Sequence, residues 1–329
     1  MTVDRAAHQA TLLADGNVLI TGGFTGDEVG LDSAEVYDPA KDTFRPTAAM
    51  GSARAGGHAA VRLPDGRVLV AGGWAGSAVT ASAELYDPAT GTFTPTGSMG
   101  TARANMAAAL LPDGSVLLAG GYDGRVALDS AEIYDPEVGT FGPTGRLTVP
   151  RAGLASAMLP GGRVLLAGGG STGGLLASAE VYNPRTGEFG ATGSMSTVRY
   201  KVAAAALPDG RVLVLGGSDD RDWTGQYRSA ELYDPATGRF SPTGSMQAAR
   251  FKIEAAVAPL PTGTVVVAGS DRSVESYDPA VGTFATATGE VADEYQSATA
   301  TALADGRVLI AGGYDPSIDP TASTWLFRP

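Results

Sequence analysis

Two lysines stand at matching points of two consecutive segments, "RYKVAAAALPDG" from residue 199 and "RFKIEAAVAPLPTG" from residue 250. Each lysine follows an arginine and an aromatic residue. Glu254 comes two residues after Lys252, so in an extended strand both side chains would point to the same face. A lysine can bind a carboxylate or act as a base, and a neighbouring carboxyl can complete an acid–base pair. Lys252, Glu254 and Lys201 are therefore the candidate catalytic residues.

The residues around these lysines predict a ligand pocket. The fifth unit has a long loop, "SDDRDWTGQYRS", and the sixth unit has a short loop, "SDRSVES". A long loop beside a short one predicts a notch over Lys252, with Trp223 and Tyr227 as its wall. Aromatic walls with a few converging polar groups are typical of ligand pockets. The candidate ligand-binding residues are Tyr200, Arg199, Arg250, Phe251, Trp223, Asp222, Tyr227, Tyr295, Gln296, Asn105, His8 and His58. The alternative is that Lys252 and Glu254 form a local ion pair and that the loop merely varies.

The chain that must position these residues is built from seven copies of one unit. The pattern "LPDGRVLVAGG" recurs at intervals of about 45–50 residues, and "SAELYDP" or a variant follows each copy. Each unit contains four short apolar or alternating segments separated by turns, without helical periodicity. Repeated four-stranded units are typical of β-propeller blades.

The sequence therefore predicts an all-β fold, a seven-bladed propeller of four-stranded antiparallel blades in a single domain over residues 1–329. The units cover about 5–50, 54–99, 103–147, 151–195, 199–246, 250–291 and 295–329.

The motifs of these units resemble the kelch repeat. Gly72 and Gly73 end the second strand, Tyr86 lies in the third, and Phe93 takes the place where kelch repeats usually have tryptophan. The segment "EYQSATATALADGRVLIAGG" is also similar to the propeller of galactose-oxidase-like proteins. This resemblance implies a scaffold and does not imply a reaction. A copper-radical oxidase of the galactose oxidase type needs a Tyr–Cys cross-link, and the chain has no cysteine.

Comparison of the units separates constant from variable positions. The turns between strands one and two and between strands three and four are uniform, whereas the loops between strands two and three and the crossovers to the next unit vary. Function is therefore assigned to the face formed by the variable loops and the crossovers. Two residues after the crossover arginine, or three in the second unit, which has one inserted residue, the units differ, with Ala7, Gly57, Asn105, Gly153, Lys201, Lys252 and Ser297.

An arginine begins six units, and Tyr295 replaces it in the seventh; a glutamate recurs in the third strand. Repetition favours a structural role, with the arginine bonded to carbonyls of a neighbouring blade and the glutamate bonded to a backbone amide or an arginine. The alternative is a ring of cations around the mouth of the propeller, which would include Arg199 and Arg250.

Composition and spacing exclude several other functions. The formal net charge of −12 argues against a nucleic-acid or anionic-membrane partner. No apolar run reaches the roughly 20 residues of a membrane helix, and no signal peptide precedes the first unit, so we expect a cytoplasmic protein. His8 and His58 hold equivalent positions in adjacent units, too far apart to share a metal ion. Neither a metal nor another cofactor is predicted.

Three functions remain open. The first is binding of an acidic peptide or a small carboxylate-bearing molecule on the variable face near blades five to seven. The second is an enzyme, a lyase, isomerase or cyclase acting on a sugar-like or secondary metabolite through Lys252, Lys201 and Glu254. The third is a scaffold without a ligand of its own.

The last unit predicts an incomplete blade. It ends with "STWLFRP", which corresponds to a third strand, and no segment before the first unit corresponds to a fourth. We therefore expect blade seven to have three strands without a strand-exchange latch. Its open edge predicts self-association, because an unpaired edge invites pairing with another chain.

Overall fold

The structure, a computed structural model, describes residues 1–26, 29–219, 221 and 224–329. It is a seven-bladed β-propeller of antiparallel blades, in which six blades have four strands and the seventh has three. The predicted fold is thereby confirmed, including the three-stranded last blade. The innermost strands of neighbouring blades contact each other around the whole ring, and the first blade contacts the seventh.

The strands follow the order of the sequence within every blade. Blades one and two comprise Gln9–Leu12, Val18–Thr21, Ala34–Asp38 and Thr43–Pro46, then Ala59–Arg62, Val68–Ala71, Ala83–Asp87 and Thr92–Pro95. Blades three and four comprise Ala107–Leu110, Val116–Ala119, Ala131–Asp135 and Thr140–Pro143, then Ala155–Met158, Val164–Ala167, Ala179–Asn183 and Glu188–Ala191. Blades five and six comprise Ala203–Ala206, Val212–Leu215, Ala230–Asp234 and Arg239–Pro242, then Val257–Pro259, Val265–Val267, Ser273–Asp278 and Thr283–Glu290. Blade seven comprises Thr299–Ala302, Val308–Ala311 and Thr324–Phe327.

Short elements lie outside the blades. Two hairpins occur in loops, Trp74–Ala75 with Ala78–Val79 and Gly170–Ser171 with Gly174–Leu175, and a 3-10 turn spans Pro160–Gly162.

The hydrophobic core lies between the blades. The second strands are continuous apolar runs because both of their faces are covered, and in blade two Leu69 packs with Val116, Leu118 and Tyr134 of blade three. Full burial of each such side chain stabilises the fold by about 1.5–3 kcal/mol. Packing between neighbours therefore holds each blade in the ring.

The recurring arginine is buried and holds its own blade together. Arg54 Nη1 donates to the carbonyl of Gly72 at 2.6 Å, and Nη2 donates to Ser82 Oγ at 3.1 Å and to Glu84 Oε1 at 3.0 Å. Glu84 Oε2 accepts from the backbone N–H of Gly51 at 2.6 Å. The arginine–glutamate pair recurs in the other five blades that carry the arginine. The structural interpretation of both residues thus fits, except that these carbonyls belong to the arginine's own blade.

The glycine pair at the end of the second strand brings neighbouring backbones together. Gly72 and Gly73 have φ of 68° and 92°, and the N–H of Gly73 donates to the carbonyl of Arg103 in the next blade at 2.9 Å. A Cβ atom on Gly72 would overlap this carbonyl. Glycine is therefore required for the inter-blade hydrogen bond.

Blade one is adapted to its three-stranded neighbour. In blade two, Tyr86 OH lies 3.1 Å from Thr47 Oγ1 of the preceding blade. Tyr37 of blade one, which faces blade seven, donates instead to Asp42 Oδ1 at 2.8 Å. Asp42 has φ of 53° at the position that Gly91 holds in blade two. Blade one thus supplies its own acceptor, while association through the edge of blade seven stays a prediction.

The buried ion pairs give a first prediction. Glu132→Gln leaves the buried Arg103 guanidinium uncompensated, and we expect it to lower the free energy of unfolding by about 3–5 kcal/mol. Arg146→Gln removes an exposed partner of Asp129 and should cost less than about 1 kcal/mol. Urea unfolding of both variants measures the difference, and equal losses would show that the buried pairs do not stabilise the blades.

Candidate functional site

A ring of seven residues with left-handed backbone surrounds the mouth of the central channel. These residues follow the crossover arginine or its replacement by two positions, or by three in blade two, and φ lies between 51° and 66° in all of them: Ala7, Gly57, Asn105, Gly153, Lys201, Lys252 and Ser297. Backbone hydrogen bonds join neighbours in the ring, for example from Lys201 N–H to the carbonyl of Gly153 at 2.9 Å and from Ala7 N–H to that of Ser297 at 3.0 Å. The left-handed turn is unfavourable for residues other than glycine, and the surrounding ring holds it in place. We call these seven residues the mouth ring.

The mouth ring opens into the channel through two consecutive cavities. The outer cavity has a volume of about 220 Å³ and is lined by the whole mouth ring. The inner one measures about 240 Å³. Both are lined by Gln9, His58, Met106, Leu154, Glu254 and Ala255, so these residues lie where the cavities meet.

The two lysines of the mouth ring lie beside the same aromatic ring. Phe251 is fully buried, and its ring centroid lies 4.8 Å from Lys252 Nζ and 5.8 Å from Lys201 Nζ. Lys201 Nζ also lies 5.0 Å from the centroid of Tyr200. The chain has just three lysines, of which Lys41 is the third. Two of the three therefore converge on one cavity, where aromatic faces stabilise their charges.

Tyr314 is a site residue that the sequence analysis missed. Lys252 Nζ donates to Tyr314 OH at 2.6 Å, and Tyr314 OH donates to Gln296 Oε1 at 3.1 Å. This chain of hydrogen bonds fixes the position of the lysine. The available signal was the aromatic residue directly after Gly312 and Gly313, close to the crossover face of blade seven.

Glu254 reaches the cavity by a route that differs from the prediction. Between the crossover arginine and the leucine of the first turn, blade six has two more residues than blade five. The extra residues form a turn in which Ala256 N–H donates to the carbonyl of Ile253 at 2.9 Å, and the innermost strand begins only at Val257. The expectation that Lys252 and Glu254 share a strand face is therefore wrong. The insertion nevertheless places Glu254 in the cavity that Lys201 and Lys252 line.

Glu254 has no ion pair with another described residue, and its carboxyl accepts a hydrogen bond from its own backbone N–H. Its side chain keeps accessible surface facing the channel. Removal from bulk water raises the pKa of Glu254 above its ordinary value, and the positive charges of Lys201 and Lys252 oppose this rise. The proposed local ion pair with Lys252 is not formed in this structure.

The two histidines line the outer cavity and join neighbouring blades. His8 Nε2 lies 2.9 Å from Thr299 Oγ1 of blade seven, and His58 Nε2 lies 3.1 Å from Thr21 Oγ1 of blade one. Burial is the main cause that lowers the pKa of each to about 3, so both are neutral at physiological pH. The Nδ1 atom of each is buried and has no hydrogen-bond partner among the described residues.

The structure places the remaining candidates as follows. Asn105 and Tyr200 line the outer cavity, and Gln296 lies behind Tyr314. Arg199 and Arg250 are buried in the ion pairs of their blades and do not line it. Tyr227 packs 5.3 Å from the guanidinium of Arg199, and Tyr295 packs on Trp325 at 5.3 Å. Asp222 and Trp223 lie outside the described residues.

Four segments of the chain match the pattern of the kelch motif. These segments, residues 5–51, 55–100, 103–141 and 203–247, make up just over half of the sequence. The chain belongs to the kelch-repeat family. A comparison of this kelch protein with curated proteins gave no match.

The kelch propeller is similar to a solved structure described as a novel fungal alcohol oxidase with catalytic diversity among the AA5 family, in complex with copper. The two align with a TM-score of 0.75 and 17% sequence identity over 99% of this chain and 75% of the other. At this identity the likeness shows a common fold and nothing about chemistry.

The residues of this kelch propeller do not fit the copper of that oxidase. The chain has no cysteine, and the described residues contain no group of three His, Cys, Asp or Glu side chains that could hold a metal ion. His8 and His58 are engaged with threonines.

Among the described residues, no helix is long and apolar enough to cross a membrane.

The raised pKa of Glu254 gives a second prediction. A carboxyl whose pKa is higher in the folded than in the unfolded state contributes stability at low pH, and that contribution is lost as pH rises through the folded-state pKa. Glu254→Gln should therefore melt at the same temperature as wild type near about pH 4 and at a higher temperature at about pH 8. Thermal unfolding across this range measures the difference. A less stable variant at the higher pH would show instead that Glu254 pairs with a lysine.

Proposed function

We propose that this kelch propeller binds a carboxylate-bearing ligand at the mouth ring on the crossover face, with Lys201 and Lys252 holding the carboxylate. The convergence of these two lysines on one cavity is the observation that carries the proposal. Charge-assisted hydrogen bonds to a carboxylate are stronger than neutral ones. Lys201 and Lys252 also place positive charge at this cavity on a chain of net charge −12, and such charge favours acidic ligands there.

The size of the cavity supports a small acid or a single acidic side chain of a peptide. The outer cavity of about 220 Å³ is smaller than the ~300–1,000 Å³ that drug-sized ligands occupy. A carboxylate with a few carbon atoms fits such a space. A short peptide could insert one glutamate or aspartate while its backbone stays on the crossover face.

A second candidate function is an enzyme that uses the same residues. The pKa of Glu254 is raised and no other described residue pairs with its carboxyl, which is typical of general acid–base residues. With the lysines positioning a carboxylate, Glu254 could transfer a proton to or from the bound molecule. A lyase, isomerase or cyclase reaction on a small metabolite would suit this arrangement.

Substitution of the lysines tests the binding proposal. Lys252→Met and Lys201→Met remove one ammonium each, and we expect each to weaken the binding of butanoate and of a Gly-Glu-Gly peptide about tenfold or more. Isothermal titration calorimetry at low and moderate salt measures the dissociation constants, and higher salt should weaken binding to wild type.

Lys41→Met is the matched control, because Lys41 lies in the turn between strands three and four of blade one, on the opposite face. This variant should bind like wild type. Equal affinity in wild type and Lys252→Met, or absence of binding by wild type, would contradict the proposal.

A further inference from the structure

Glu254 lies at the junction of the two cavities, and no other described residue pairs with its carboxyl. Its side chain is exposed to the channel, so a molecule bound there can reach the carboxyl. The turn that carries it exists only because blade six has two additional residues, and blade five forms its innermost strand without them. The geometry of a blade therefore does not require the insertion.

The walls of the channel at this junction differ in polarity. Met106 and Leu154, from blades three and four, form an apolar wall, whereas Gln9 and His58, from blades one and two, form a polar one. His58 Nδ1 is buried and has no partner among the described residues. A molecule at this level would meet an aliphatic surface on one side and hydrogen-bonding groups on the other.

We propose that the ligand of the mouth ring is a short-chain hydroxycarboxylic acid, whose carboxylate lies on Lys201 and Lys252 and whose hydroxyl donates to Glu254. Its aliphatic carbons pack against Met106 and Leu154. This inference rests on the proposed function and adds the hydroxyl as a second group of the ligand that the protein recognises. An uncharged donor fits better than an ammonium, because Glu254 and the ligand's carboxylate already balance the two lysine ammoniums, and a third ammonium would leave a net positive charge in the small cavity.

Four acids of one carbon skeleton test this proposal: butanoate and its 2-, 3- and 4-hydroxy derivatives. In calorimetry with the wild-type protein, we expect at least one hydroxybutanoate to bind about tenfold more tightly than butanoate, as a hydrogen bond to a charged acceptor provides. The position of the preferred hydroxyl reports the distance from the lysines to Glu254. 4-Aminobutanoate should bind more weakly than the preferred hydroxy acid.

Variants of Glu254 assign the effect to this carboxyl. In Glu254→Ala the ratio of hydroxybutanoate to butanoate affinity should fall to about one, whereas Glu254→Gln keeps an acceptor oxygen and should retain part of the preference. Thermal unfolding verifies that both variants are folded. A preference that survives in Glu254→Ala, or four acids of equal affinity, would overturn the inference.

The outcomes also separate the two proposals. If butanoate binds and Lys252→Met abolishes this binding, the proposed function stands even when the hydroxyl adds nothing, and the further inference alone fails. If none of the acids binds to the wild-type protein, both fail.

Discussion

The rest of the structure depends on the interactions of the buried arginine that begins six of the seven blades. Its guanidinium fixes the crossover to the third strand of its own blade, as in the pair of Arg103 with Glu132. Its backbone carbonyl accepts from the glycine pair of the preceding blade, as Arg103 does from Gly73. Two residues later the chain makes the left-handed turn of the mouth ring. One residue thus connects the crossover to the third strand of its own blade, bonds that blade to its neighbour, and determines where the variable side chain enters the channel.

This arrangement lets the chemistry of the channel change without changing the ring. Blades one, two and four place alanine or glycine in the mouth ring, whereas blades five and six place lysine on the same backbone. Blade six departs further, because its two-residue insertion adds Glu254 below the lysine. The repeat requires neither this insertion nor the carboxyl of Glu254. Repeated features such as the arginine–glutamate pairs stabilise the propeller, whereas Lys201, Lys252 and Glu254 are unrepeated and line one cavity.

Much of this fold could be predicted because the same pattern of turns and apolar strands occurs in seven copies. The blade count, the strand order and the three-stranded blade seven follow from the repeated turns and apolar strands. The mouth ring positions could be found by comparing units. The role of Asp42 could not be predicted from the repeats. Asp42 accepts a hydrogen bond from Tyr37 at the boundary with blade seven, where the equivalent tyrosine of blade two contacts a threonine of the preceding blade. Tyr314 was missed because its hydrogen bond to Lys252 joins two blades. The route of Glu254 follows from the two-residue insertion of blade six, which is visible in the sequence.

Chemical protection of the lysines tests most directly whether Lys201 and Lys252 hold a carboxylate together. The chain has three lysines, so acetylation by a limiting amine-reactive reagent can be followed at each by mass spectrometry, with Lys41 as the internal standard. Saturating hydroxybutanoate should slow the modification of Lys201 and Lys252 severalfold and leave Lys41 unchanged. Equal modification of all three with and without the acid would contradict a carboxylate site at the mouth ring.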